Sequence, residues 1–218
     1  MKFPKAHAGV KKLFLVEILM IAVLFVALVG TILVAIGKDA TVLSGGALVL
    51  AAGIAGVVAF ILSLVGLHQA GKDEVQIQYA FCMAILSIIL GMVASILGGL
   101  KEPSKAVKII TDILETGESL TKLFTGFYVL LGISSLAKKL GDSEMERKGK
   151  RLANWVILLY CVSIVLGLVG MILGGLPSAP AAVAVVAGVV AIVASVAELV
   201  VYILTVVYYG KAVKMLEK

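Results

Sequence analysis

The chain has 218 residues, 61% of them hydrophobic and 15% charged, with a net charge of +6. Soluble domains run about 45–50% apolar and about 25% charged, so a water-soluble domain is excluded. The positive charge does not mark a nucleic-acid binder, because Lys and Arg sit at the ends of apolar blocks, where they orient membrane helices.

The apolar blocks are roughly 20 residues long, the length a helix needs to cross ~30 Å of hydrocarbon. The first covers 13–36 and follows Lys11 and Lys12, as the core of a signal peptide would. It exceeds the usual 7–15 residues and no small-x-small site follows, so it is read as a retained helix. The second and third spans are expected at 44–68 and 77–100.

A different pattern follows at 104–117. Ala106, Ile110, Ile113, Leu114 and Gly117 share one helical face, and Lys105, Lys108, Asp112 and Glu115 the other. With Ser104 as N-cap, the pattern predicts an external amphipathic helix lying flat in the headgroups. Covering the mouth of the bundle is the alternative. Gly117 is expected to break it from the fourth span, 119–137, which carries Lys122. The fifth and sixth spans are expected at 153–175 and 180–209.

Six spans place fourteen of the nineteen Lys and Arg on the side that holds both termini. The excess of basic residues on cytoplasmic segments puts those termini inside, and a prokaryotic cytoplasmic membrane is the expected location. Trp155, Tyr79, Tyr208 and Tyr209 fall near that inner interface, where amphipathic rings settle. Cys82 and Cys161 lie within apolar blocks and are read as unpaired, buried thiols.

"ILGMVASILGGL" (Ile89–Leu100) returns as "VLGLVGMILGGL" (Val165–Leu176), with eight of twelve positions identical. "VGTIL" at Val29–Leu33 repeats the phrase more weakly. The fold class that follows is an all-α integral membrane protein, one membrane domain over 1–218. Three tandem two-helix hairpins, 1–72, 73–145 and 146–218, would stand around a pseudo-threefold axis along the membrane normal. Spans two and six are rich in Gly and Ala, which let helices approach closely. Spans two, four and six are therefore expected to form the inner layer, with spans one, three and five outside.

Ionisable residues within the bilayer are functional candidates by default. Glu198 lies thirteen residues before Lys211, ~20 Å inside the inner surface. Lys122 falls at a similar depth, so an ion pair with Glu198 is expected. Glu17 and His68 are expected to meet at the inner ends of spans one and two.

There is no P-loop, nucleophile elbow or metal-ligand spacing, so no cofactor and no enzyme activity are expected. The leading expectation is a scaffold or accessory subunit in the lipid bilayer, packing against a membrane-protein partner or a second copy of the chain. The alternative is a small transporter or channel with Glu198 and Lys122 on its pathway. A membrane enzyme using Glu17 and His68 comes third.

Overall fold

The computed structural model describes the backbone of residues 2–37, 39–100, 104–174 and 181–217. Among them the chain is helical throughout, with no strand: α1 (Pro4–Ile36), α2 (Asp39–Gly71), α3 (Val75–Gly98), α4 (Lys105–Lys139), α5 (Ser143–Gly174) and α6 (Ala181–Glu217). Five of these, α1, α2, α3, α4 and α6, are long and apolar enough to cross a membrane among the described residues. The last two residues of the second repeated phrase, 175–176, lie outside the described residues, as do the expected last residue of span five and first of span six.

The helices run well past the expected spans at the basic end. α1 and α2 have 33 residues each and α6 has 37, about 50 Å or more. α1 starts at Pro4, whose fixed φ suits a first helical turn. Its N-cap, Phe3, supplies no side-chain acceptor. The acceptor comes instead from the turn after α2: Ala6 N–H donates to Asp73 Oδ2 at 2.7 Å. α1 ends at Gly37, whose φ of 73° is the left-handed conformation glycine adopts without strain. Gly141, with φ 80°, turns the chain between α4 and α5. Asp142 then caps α5, accepting from Met145 N–H at 2.9 Å.

The chain divides into two compact units, Met1–Glu74 with Tyr209–Lys218, and Val75–Tyr208. In the first, α1 and α2 form an antiparallel hairpin that closes at two glycine pairs. A methyl group on Gly9 would stand 2.6 Å from Ala70 Cβ, and one on Gly66 3.0 Å from Gly9 O. Near the other end, one on Gly45 would stand 2.6 Å from Gly30 O, and one on Gly30 2.9 Å from Gly45 O. Ala6, Val10, Leu67, Ala70, Ala212 and Leu216 are buried at the basic end of this unit.

In the second unit α4 packs against both α3 and α5. Ile77, Leu130, Ile133, Leu136 and Ala153 are buried, again towards the basic ends of their helices. Mid-helix residues are open by contrast: Leu24, Phe25 and Ile192 are 62%, 67% and 66% exposed. Water drives apolar side chains together, whereas lipid tails solvate them as well as another Leu would. Dense packing at the polar ends and bare apolar flanks between them follow from that difference.

Three expectations need correction. The segment 104–117 is no separate helix: α4 runs unbroken from Lys105 to Lys139. Interior glycine costs a helix only about 1 kcal/mol, and here Gly117 is pressed against Leu90 of α3. The Glu118–Lys122 ion pair straps the next turn. Burial is uneven among the three helices expected inside. Of their most apolar stretches, 44% is buried in α4, against 11% in α2 and 6% in α6. Only part of α2's glycine is used for packing: a methyl on Gly46, Gly53 or Gly56 would meet no described atom within 4 Å. Cys82 and Cys161 are unpaired, as expected, but exposed rather than buried against other helices.

Candidate functional site

α3 and α4 lie antiparallel in a register read from three contacts. Gly132 faces Ile77, Gly91 faces Glu118, and Gly98 faces Thr111. A methyl group on Gly91 would stand 2.9 Å from Glu118 Cδ, so this glycine of the repeated phrase makes room for a carboxylate. Lys122 Nζ lies 2.5 Å from Glu118 Oε1; the Glu118 side chain is 24% exposed and that of Lys122 65%. Gly91 is seven residues from the end of α3 at Gly98, ~10 Å. The same register sets Lys122 level with Ser87, a buried polar residue of α3. Charge thus sits well within the length of an apolar helix.

A second polar contact joins α5 and α6. Ser163 Oγ donates to Glu198 Oε1 at 2.7 Å. Ser163 stands twelve residues beyond Arg151, ~18 Å into the apolar run. The two places carry similar sequence. "SIILG" begins at Ser87 and "SIVLG" at Ser163, and each serine is level with a charged residue of the following helix.

Of the expected residues, Glu198 and Lys122 both fall at such depths, but each has another partner. Lys122 takes Glu118 and Glu198 takes Ser163. The register of α1 and α2 does not bring Glu17 and His68 level. With Gly9 against Gly66 and Gly30 against Gly45, Glu17 stands opposite Val58 and His68 opposite His7. Ten residues, ~15 Å of rise, separate the two heights. α1 begins nine residues before the expected span, so Glu17 stands thirteen residues, ~20 Å, from the helix start.

Counting depth along the spans does not single out Glu118. Its signal was local: a Glu four residues before a Lys is the favourable order for a helix pair.

Further polar contacts lie at the basic ends of the helices, in each unit separately. Ser134 Oγ, on a residue 1% exposed, donates to Glu146 O at 2.8 Å. Tyr208 Oη donates to Met145 O at 3.2 Å. Lys12 Nζ donates to Gln69 Oε1 at 2.6 Å. A hydrogen bond from Lys150 holds the Glu146 carboxyl below its usual value of 4.5. Tyr79, Phe124, Phe127 and Tyr128 form an aromatic cluster, with Tyr79 and Tyr128 edge-on at 5.8 Å.

Among the described residues no group of three or more His, Cys, Asp and Glu could hold a metal ion. No protein-family model, curated protein or solved structure matches the chain.

Proposed function

We propose that the protein is a polytopic membrane scaffold or accessory subunit rather than an enzyme. In this reading α5 is a sixth crossing, both termini face the cytoplasm, and three hairpins stand around a pseudo-threefold axis. A prokaryotic cytoplasmic membrane is its setting. The packing of α1 on α2 and of α3 on α4 supports the hairpin unit, and fourteen of nineteen Lys and Arg on one side support the orientation.

The observation that carries the reading is the unused glycine face of α2. Among the described residues no atom stands within 4 Å of a methyl on Gly46, Gly53 or Gly56, while Gly45 and Gly66 are closed against α1. A small-residue face lets a second helix dock at short range. A photo-crosslinking residue placed at Gly53 in native membranes should give a protein adduct of discrete mass. Lipid adducts alone at that position would overturn the docking reading.

A transporter or channel is the second reading, favoured by the Glu118–Lys122 and Ser163–Glu198 contacts deep in apolar helices. Proteoliposomes of wild type, Lys122→Gln and Glu198→Gln distinguish the two. A flux of ions or metabolites that either substitution abolishes would favour transport. Equal background leakage from all three favours the scaffold.

A further inference from the structure

α5 carries one exposed stripe that passes from charge to hydrocarbon. Arg147, Arg151, Trp155, Leu158 and Val165 recur at three-, four- and seven-residue spacings, so they share a face, and all are exposed. The other basic residues of this turn are engaged: Lys148 pairs with Glu144, and Lys150 with Glu146 at 2.6 Å. Asp142 accepts from the Met145 amide. Arg147 and Arg151 take no carboxylate among the described residues.

Two guanidinium groups one helical turn apart, ~6 Å, are matched to a phosphate, which each can hold with paired N–H donors. Trp155, 47% exposed, follows one turn further on, and an indole settles at the level of headgroup and glycerol. Leu158 and Val165, 50% and 57% exposed, continue the stripe. From Trp155 to Val165 the helix rises ~15 Å, half of a ~30 Å hydrocarbon layer. The order of chemistry and its length are those of a single phospholipid.

We propose that this face of α5 binds an anionic phospholipid. Its phosphate lies between Arg147 and Arg151, its glycerol region against Trp155, and an acyl chain along Leu158 and Val165. The inference rests on the membrane reading above but not on which side the termini face.

The test uses the chain's single tryptophan as reporter. The full chain is reconstituted in phosphatidylcholine vesicles containing rising fractions of brominated phosphatidylglycerol or, in parallel, brominated phosphatidylcholine. Trp155 fluorescence should be quenched at lower fractions of the anionic lipid, with a relative association constant of about fivefold or more. A basic residue near an anionic surface contributes on that scale. The ratio should fall towards one in Arg147→Gln/Arg151→Gln and persist in Lys148→Gln/Lys150→Gln, with size-exclusion profiles unchanged in both. Equal quenching by the two lipids in wild type, or a preference that survives loss of both arginines, overturns the proposal. No quenching by either lipid overturns it together with the membrane reading of α5.

Discussion

Gly45 and Gly46 are adjacent in α2, and the structure assigns them opposite consequences. A methyl at Gly45 would stand 2.6 Å from Gly30 O and 2.9 Å from Val34 N. Both neighbours are α1 backbone, which cannot rotate away, so the helices must part by roughly 0.5–1 Å. Overpacking of that kind costs about 1–3 kcal/mol, and the parting also weakens dispersion contacts on either side. A methyl at Gly46 would meet no described atom within 4 Å. In water it would gain up to about 1 kcal/mol of helix propensity. Helices remain formed in both states of a membrane protein, so that gain largely cancels and Gly46→Ala should lie within about 0.5 kcal/mol of wild type. Dodecyl sulfate titration in mixed micelles, read by energy transfer between labels on α1 and α2, compares the two. A lower midpoint for Gly45→Ala alone is expected. Matched midpoints would mean that α1 and α2 do not approach at Gly30 and Gly45, and would refute the register used to separate Glu17 from His68.

Asp73→Ala removes the acceptor for Ala6 N–H. It should cost about 1 kcal/mol and speed hydrogen exchange at the first amides of α1 without affecting those of α3. Ser163→Ala and Glu198→Leu should be coupled in a double-mutant cycle by about 0.6 kcal/mol, the usual scale within membranes; zero coupling would show that the hydroxyl and carboxylate do not meet. The Glu146 carboxyl is held below its unfolded value by Lys150. Its contribution is therefore present above the ordinary carboxylate range and lost as pH falls through the lowered value. Exchange protection in the first turns of α5 should follow that course, and Lys150→Gln should flatten it.

The helices were legible because apolar blocks of membrane length have few other readings. Their basic ends were not, because Lys5–Lys12 and Glu144–Arg151 look like loop composition until caps and pairs are considered. Asp73 caps α1 from a position 67 residues away, a contact that no local pattern announces. The amphipathic pattern at 104–117 was real, yet its separation from span four rested on Gly117. A glycine in a helix is as consistent with close packing on Leu90 as with a break. For the site, depth was readable and partnership was not. Glu198 and Lys122 could be placed by counting residues from the basic ends, whereas Ser163 and Glu118 required the helix register and the i,i+4 rule.

The Asp73 contact has a consequence for the order in which the chain takes shape. Everything that holds α1 to α2, from the two glycine pairs to this cap, has been synthesised by residue 73. The first hairpin is therefore able to close in the bilayer while the remaining helices are still on the ribosome. Yet its unit includes Tyr209–Lys218, and a methyl on Gly210 would stand 3.1 Å from the Phe14 ring. A hairpin able to close early is thus completed by a segment that follows it by more than a hundred residues, and a chain released before that segment would leave the face of Phe14 uncovered.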